Sequence, residues 1–370
     1  MNPGGVVGRV WRSPKWRTVI VVFIVCKVAA TLVAAFGIGM VDRGTDRLGM
    51  HPSADFGVLQ MWFQWDSRHY EYLATEFDYL TPLTSQEQAM IDQAAQHERF
   101  NVPGSLHRFT FGPLYPVLAK VVSLPLLGNV PLAMLVVANV AFFLSLALCW
   151  DLAMAVVPFV SPRDATIALA LLPTGFMLQA ALTESTYLAF VLGCLVMAER
   201  RRWGWAAVLG AGAALTRSTG FFISATVLLI VLGQQRLRCD RGSLVAYARS
   251  LPALAAPPLA WFGFMVYCWA MTGDLFAYTH LQYSGWGVEG HPPTEWVEFL
   301  AHPLGAETLK AWLILAFLAL IVVGVRVVSP GYTLYSILGL ALPLIFGLWW
   351  QSTLRYLCVL FPSPSCSPAS

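Results

Sequence analysis

The feature that most constrains this chain is a series of long apolar runs separated by short arginine-rich clusters. Apolar runs occupy residues 18–40, 131–157, 247–271 and 309–325. Hydrophobic residues make up 57% of the 370 residues and charged residues only 12%, whereas soluble domains are about one quarter charged. A water-soluble core cannot bury so much apolar surface, but a lipid bilayer accepts it. The sequence therefore predicts an all-α polytopic membrane protein.

The positively charged clusters predict the side of the bilayer on which each connection lies, because cytoplasmic loops are enriched in Lys and Arg. The basic stretch at residues 9–17, the cluster at 199–202 and the cluster at 236–241 all follow this rule if the N-terminus is cytoplasmic. The alternation predicts a bundle of roughly nine transmembrane helices by the 20-residue criterion. The chain is therefore expected to be an integral, multi-pass membrane protein.

Two apolar regions are expected to be interrupted. Residues 111–128 contain three prolines and predict an interfacial or re-entrant segment rather than a full span. Residues 203–233 carry Arg217 at their centre, and an arginine in hydrocarbon costs several kcal/mol. Two short helices that meet near Arg217 are therefore predicted. The remaining spans are expected at residues 18–40, 131–157, 164–181, 186–198, 247–271, 309–325 and 332–350.

This topology places two polar segments outside the cytoplasm. Residues 41–112 form a large first extracytoplasmic loop, which is long enough to carry its own structure. Residues 273–308 form a second outer segment. The sequence predicts a single multi-spanning domain over residues 1–362, followed by a short tail at 363–370.

Polar clusters that could do chemistry lie mostly on this outer side. They are Trp65-Asp66-Ser67-Arg68-His69-Tyr70, Thr183-Glu184-Ser185, Arg217-Ser218-Thr219-Gly220, the segment from Gly273-Asp274 through His280 and Gln282 to Trp286, and Arg355-Tyr356. Arginine pairs with phosphate, and a carboxylate accepts the proton of an attacking hydroxyl. Such residues at a membrane interface suit a substrate that has a lipid tail and a charged head.

Each cluster also has a purely structural interpretation. Asp66 could cap a helix, Glu184 and Arg217 could form a structural ion pair, and Asp274 follows a glycine as turn residues do. His69, His97 and His107 show no metal-ligand spacing, and none of the seven cysteines forms a CxxC pair. The sequence predicts no metal site, no disulfide framework, no cofactor and no nucleic-acid partner. Lys27 lies inside the first apolar run, and its role is open.

The clusters resemble, in order, the motifs of the GPI mannosyltransferase 2 (PIG-V) family, a group of GT-C membrane glycosyltransferases. Trp65-Asp66 with His69-Tyr70 is similar to its WD-x-x-(H/Y)-(F/Y), and residues 109–116 are similar to its FFPLYP. Residues 183–185 resemble YSES, 217–220 resemble RSNG, and 273–286 resemble GDP-x-AF-x-x-Q-x-x-W. Arg355-Tyr356 with Phe361-Pro362 resembles its late RY and FP. Gly112 and Leu275 depart from the pattern. The similarity spans residues 18–362, and the composition suggests a bacterial relative.

The resemblance implies an inverting transfer of mannose from a polyprenyl-phosphate donor to a glycolipid or other glycan acceptor on the outer face, within a GT-C-like bundle. It makes Asp66 the general base, and Arg217 and Arg355 the candidates for the donor phosphate. Substrate contacts are expected from the following residues: Trp65, Arg68, His69, Tyr70, Glu184, Asp274, His280, Gln282 and Trp286. The sequence has no GxGxxG or DxD pattern, which fits a lipid-linked donor. Membrane lipids are the other expected partners, in the cell membrane if the source is bacterial.

Two other classes of function remain open. A transporter or flippase of a lipid-linked sugar would place ionisable residues on broken helices at mid-membrane, and only Lys27 and the interrupted region at residues 203–233 favour it. A non-catalytic scaffold would tolerate substitution of Asp66, Arg217 and Asp274 alike. Substitution of Asp66 by Asn separates an enzyme from both.

Overall fold

A computed structural model describes residues 11–40, 57–63, 65–156, 160–172, 175–288, 301–304, 309–326 and 328–345, together with Arg355, Leu357 and Val359. Within these residues every regular element is helical. The α-helices are α1 (Pro14–Met40), α2 (Ser67–Glu76), α3 (Ser85–Ala95), α4 (Leu114–Ser123), α5 (Val130–Val156), α6 (Pro162–Ala170), α7 (Glu184–Glu199), α8 (Trp203–Thr216), α9 (Ile223–Gln234), α10 (Arg241–Thr272), α11 (Ala277–Trp286), α12 (Leu309–Gly324) and α13 (Pro330–Ile345). Short 3-10 helices cover Gly57–Trp62, Gly104–Phe109, Leu124–Leu126, Gly175–Gln179 and Ser218–Phe222.

Three of these helices are long and apolar enough to cross a membrane. They are the Pro14–Val33 part of α1, the 27-residue α5 and the 32-residue α10. Several shorter apolar helices accompany them, among them α8 and the segment Ser218–Gln234. The expectation of an all-helical chain with membrane-length apolar helices is thus confirmed for the described residues.

Helices α5 and α7 lie at the centre of the bundle. Most of α5 is buried, and Leu188, Leu192 and Leu195 of α7 have no exposed surface. Helix α1 lies at the edge, because Ile24, Val25 and other apolar side chains along it are about half exposed. The apolar surface of α1 is the kind that lipid tails cover, whereas α7 is covered by protein.

The interruption predicted near Arg217 is present. Helix α8 ends at Thr216, Arg217 is extended, and the 3-10 helix Ser218–Phe222 leads into α9. Gly112 makes the same region compact, because a Cβ on this residue would lie 2.5 Å from the carbonyl oxygens of Leu215 and Thr216. This close approach leaves no room for a side chain at residue 112.

The third predicted span differs from the structure. Residues 164–181 were expected to form one helix, but α6 ends at Ala170 and the 3-10 helix Gly175–Gln179 follows. The physical reason lies in the sequence between them, since a residue that precedes a proline such as Pro173 is disfavoured from the α conformation.

The predicted first outer loop contains α2, α3 and the 3-10 helix Gly104–Phe109, and it packs against α11 of the second outer segment. The backbone N–H of Phe100 donates to the carbonyl of Ser284 at 3.3 Å, and the Gln282 amide donates to the carbonyl of Thr110 at 2.6 Å. Residues 41–56, 289–300 and 305–308 of these segments lie outside the described residues. The two predicted outer segments therefore form one packed layer at one end of the bundle.

Candidate active site

Asp66 immediately precedes α2, and the surrounding backbone is firmly anchored. Its carbonyl oxygen accepts from the N–H groups of His69 and Tyr70 at 3.0 and 3.2 Å. The Ser67 hydroxyl donates to the carbonyl of Ala181 at 3.0 Å, and the N–H of Ala181 donates to the carbonyl of Trp62 at 2.9 Å. These bonds attach the start of α2 to the segment that leads into α7.

The side chain of Asp66 does not cap the helix. No side-chain hydrogen bond joins Asp66 to the first turn of α2. Instead Arg355 donates from an Nη to one carboxylate oxygen of Asp66. The helix-cap interpretation of Asp66 is therefore wrong, and the carboxylate points into a group of charged residues.

Glu184 lies at the centre of that group. One of its oxygens accepts from Arg217 at 2.7 Å and from the Nε of Arg355. Arg217 also donates to the Thr183 hydroxyl at 3.2 Å. The sequence placed Glu184 in an outer turn, but it lies in the first turn of α7 with no exposed surface. Glu184 is buried beside Arg217, which follows α8, and beside Arg355.

We call Asp66, Glu184, Arg217 and Arg355 the buried ionic cluster. Their side chains are 21%, 0%, 13% and 9% exposed, respectively. Two carboxylates face two guanidinium groups, so the formal charges balance. Four of the predicted site residues, from distant parts of the chain, meet here.

Asp66 is the accessible carboxylate of the cluster. Burial would raise the pKa of Asp66, but the positive charge and the hydrogen bond of Arg355 outweigh this effect and hold the pKa below its usual value. Asp66 is therefore ionised near neutral pH and able to accept a proton. Glu184 has no surface through which a substrate could approach it.

An aromatic group borders the cluster on the side of the outer layer. His69 lies 4.1 Å from His107 between ring centroids, stacks on Phe111 at 5.4 Å and meets Trp286 at 5.8 Å. Tyr70 contacts Phe111 at 5.1 Å. Phe111, Tyr70 and His107 are buried in these contacts, whereas His69 and Trp286 are half-buried and are the two rings of the group that a sugar could reach.

The titratable groups in this aromatic region are neutral near pH 7. Burial, together with the neighbouring His69, lowers the pKa of His107 to about 3. Burial also lowers the pKa of His69, although Asp66 opposes this shift. Burial raises the pKa of Tyr70 to about 12, and Asp66 adds to the shift. The groups that carry charge beside the aromatic faces are therefore those of the ionic cluster.

The remaining predicted site residues divide between two places. Trp286 joins the aromatic group, and Gln282 anchors α11 on the first outer loop. Asp274 instead pairs with His280 at 2.7 Å, and its other oxygen accepts from the N–H of Phe276 at 2.8 Å. The structure thus gives Asp274 the turn role that Gly-Asp predicted and places it with His280 beside His97.

Two further predicted residues lie at the rim. Trp65 has a left-handed backbone with a φ of 49° and contacts Phe176 at 6.1 Å between ring centroids. Arg68 is exposed on α2. Their expected role in substrate binding stays a prediction.

Sequence reasoning missed several residues of the site. Phe111 and Tyr115 belonged to a recognised motif but were not assigned to the site, and Tyr115 lies 5.3 Å from Tyr70 between ring centroids. His107 was considered only as a possible metal ligand and was rejected in that role. The aromatic density of residues 107–115 was a signal for this role.

The described residues contain no group of three or more His, Cys, Asp or Glu side chains that could hold a metal ion. Comparison of the chain with protein-family models, curated proteins and solved structures found no match.

Proposed function

We propose that this chain is a multi-pass membrane glycosyltransferase of the GT-C type, related to the PIG-V family. In this proposal it transfers a mannosyl residue, with inversion, from polyprenyl-phosphate-mannose to a glycolipid or other glycan acceptor. The observation that carries the proposal is the buried ionic cluster, in which Asp66 contacts Arg355 beside a wall of aromatic rings. A balanced, mostly buried group of four charges is costly to assemble and is typical of a functional site.

Asp66 acts as the general base in this reaction. It accepts the proton of the acceptor hydroxyl while that oxygen forms a bond to the anomeric carbon of the sugar. The bond between the anomeric carbon and the phosphate oxygen breaks, and the polyprenyl phosphate leaves from the opposite face with the electron pair. Arg355 holds Asp66 ionised and oriented, and Glu184 in turn holds Arg355 and Arg217.

The proposed topology has about nine spans, with the N-terminus in the cytoplasm and the buried ionic cluster at the outer face. The two ends of α7 support it. Glu184 begins this helix, and Arg200 directly follows it. Sixteen residues of α-helix extend about 24 Å, close to the thickness of a hydrocarbon core. Arg200 shares Asp151 with Lys15 from the N-terminal basic stretch, so these three residues lie together at the opposite end of α7, which the proposal assigns to the cytoplasm.

A transfer assay tests the proposal directly. The full chain is purified, reconstituted in liposomes and supplied with polyprenyl-phosphate-[14C]mannose and a lipid extract of envelope glycolipids. We expect label to move from the donor to a product that is one hexose larger. A deletion strain should accumulate the acceptor that lacks this hexose, and mass spectrometry of its lipids identifies the acceptor class. Absence of transfer with mannose, glucose and galactose donors alike would overturn the proposal.

The second candidate is a transporter or flippase of a lipid-linked sugar. It is favoured by Lys27, which contacts the interrupted region between α6 and α7 inside the bundle. The same liposomes distinguish the two candidates. A flippase moves intact donor across the bilayer and leaves the bond between sugar and phosphate whole, whereas the enzyme breaks this bond.

A further inference from the structure

Lys27 lies in the middle of α1, well inside the apolar run. Its ammonium donates to the carbonyl of Gln179 at 3.3 Å and lies 3.5 Å from the centroid of the Trp62 ring. Both contacts use neutral groups. Among the described residues no carboxylate lies within ion-pair distance of Lys27.

This cation differs from those of the buried ionic cluster. Arg217 and Arg355 each contact Glu184, and Arg355 also contacts Asp66. Their charges are balanced within the protein, so they offer little net attraction to an added anion. Lys27 keeps its positive charge uncompensated in a segment where a charge is costly.

Three buried polar atoms on residues next to Lys27 or Gln179 have no partner among the described residues. The Nε1 of Trp62 and the Oε1 of Gln179 are buried and have no hydrogen-bond partner in the described part of the chain, and the same holds for the Oδ1 of Asn139. Trp62 and Gln179 are only 3% and 2% exposed. Asn139 belongs to this group because its amide donates at 3.4 Å to the same Gln179 carbonyl that Lys27 contacts. Buried polar groups are nearly always satisfied, so unpartnered atoms on three adjoining residues indicate a ligand that supplies both acceptors and donors.

A ligand of this kind can reach Lys27 from the edge of the helix bundle, where α1 lies. Helix α1 lies at the edge of the bundle, and Ile24, Val25 and Val28 on it are 53%, 58% and 52% exposed. A molecule whose tail follows this apolar surface can place its headgroup between α1 and the segment Gly175–Gln179. A water-soluble anion would have no such route.

We propose that Lys27, Trp62, Asn139 and Gln179 form a binding site for the phosphate headgroup of a glycosylated lipid. The Lys27 ammonium and the Trp62 N–H donate to phosphate oxygens. The Asn139 and Gln179 carbonyl oxygens accept from hydroxyls of the attached sugar. The inference rests on the proposed function, which places α1 in the bilayer. It assigns the donor phosphate to Lys27 and no longer to Arg217 and Arg355.

This headgroup site adjoins the buried ionic cluster. Gln179 lies two residues before Ala181, whose backbone binds both Trp62 and Ser67. Ser67 directly follows Asp66. A lipid-linked sugar whose phosphate rests at Lys27 therefore extends its sugar along this short segment toward the proposed base.

Binding by the purified full-length chain tests the site without requiring catalysis. Native mass spectrometry from detergent is used to titrate polyprenyl-phosphate-mannose, polyprenyl phosphate, phosphatidylglycerol and inorganic phosphate. We expect Lys27→Met to weaken both polyprenyl ligands by about tenfold or more, the size of one charge-assisted hydrogen bond, and Lys27→Arg to retain most of the binding. Gln179→Leu should weaken the mannosylated ligand more than the bare phosphate.

The chain offers a matched control. Lys120 also donates to a backbone carbonyl, that of Thr75 at 3.1 Å, and lies 5.9 Å from the Phe77 ring centroid. Lys120→Met removes the same kinds of contact outside the headgroup site, so it should bind all ligands like the unmodified protein. Equal loss in both methionine variants would show a general effect of lysine removal and overturn the inference.

The remaining outcomes separate this inference from the proposed function. If Lys27→Met binds the ligands normally and the chain transfers mannose, the headgroup site is overturned and the proposed glycosyltransferase function stands. If binding depends on Lys27 but the chain transfers no sugar, the headgroup site is supported and the proposed glycosyltransferase function is overturned. Equal affinity for phosphatidylglycerol and polyprenyl phosphate identifies a general phospholipid site and overturns the assignment to a glycosylated lipid.

Discussion

The two ends of α7 carry ionic groups of similar chemistry in opposite surroundings. At one end Asp151 binds Lys15 at 2.6 Å and Arg200 at 3.0 Å, with side chains 20% to 47% exposed. At the other end Glu184 binds two arginines and has no exposed surface. Exposed ion pairs contribute about 0–1 kcal/mol, whereas a buried group costs several kcal/mol per ion to desolvate.

This difference in burial indicates that the Glu184 end of α7 is organised for more than stability. Water can replace either partner of Asp151, so that cluster serves to hold α1, α5 and α7 at one interface. Glu184 has no exposed surface, so water cannot replace Arg217 or Arg355 as its partner. The folded protein must therefore supply both arginines. The buried ionic cluster also contains Asp66, a carboxylate left partly open to a substrate.

The largest expected effect is on activity at the buried end. Asp66→Asn keeps the shape of the side chain but removes the base, so the rate of transfer should fall by about 10²- to 10⁴-fold. The membrane level of the protein should not change, because Arg355 keeps its contact with Glu184. Initial rates with a labelled donor, normalised by immunoblot, measure the loss. A fully active Asp66→Asn variant contradicts the proposed mechanism.

The next effect is on stability, and it compares the two ends directly. Glu184→Gln removes the carboxylate that Arg217 and Arg355 share and leaves Asp66 alone to balance two mostly buried guanidinium groups, so the variant should lose about 3–5 kcal/mol. Asp151→Asn removes the carboxylate at the exposed end and should cost no more than about 1 kcal/mol. Thermal unfolding of both variants in the same detergent provides the measurement. Similar losses would show that burial does not distinguish the clusters.

The third effect is on the pH dependence. Arg355 holds the pKa of Asp66 below its usual value, against the effect of burial. In Arg355→Gln the burial effect remains without the positive charge, so the pKa of Asp66 should rise. The base form is the active form, and the acid limb of kcat/KM against pH should therefore move to higher pH.

The same pH experiment has an internal control. Arg200→Gln removes an arginine from the exposed end, so it should leave the acid limb in place even if overall activity changes slightly. An unchanged limb in Arg355→Gln would mean that Arg355 does not set the proton affinity of the catalytic carboxylate.

The smallest effect is expected at Asp274, which belongs to the predicted second outer segment but resembles the exposed end of α7 in its surroundings. Asp274 and His280 form a pair that is 19% and 23% exposed. Asp274→Asn keeps the hydrogen bond to the N–H of Phe276 and should reduce transfer by no more than about tenfold, within the range of one weakened hydrogen bond. A loss as large as that of Asp66→Asn would place Asp274 in the reaction.

Much of the helical layout was predictable because apolar runs and charge clusters are local properties of the sequence. The predicted boundaries for α5 and α7 differ from the structure by one or two residues. The break at Arg217 was predictable because an arginine is costly in hydrocarbon. The break after Ala170 was missed, since the apolar content of residues 164–181 outweighed the signal of Pro173.

The site was only partly predictable. The residue types in the clusters indicated where chemistry was possible, and the alternation of spans predicted that Asp66, Glu184, Arg217, Asp274 and Arg355 share one rim. The structure brings four of them together, and Asp274 pairs with His280 instead. Periodicity could not show that Asp274 pairs with His280 or that His107 lies against His69. Asn139 and Gln179 were missed because a single amide in an apolar helix has no local pattern.

The sequence by itself determined that the chain is helical and rich in membrane-length apolar segments, because hydrophobicity and charge act residue by residue. Only the tertiary structure decided that Arg355 joins Asp66 to Glu184 and that Lys27 meets no carboxylate among the described residues. These outcomes depend on which helices pack together. Residues separated by 289 positions, as Asp66 and Arg355 are, become neighbours only when the whole bundle buries its apolar faces.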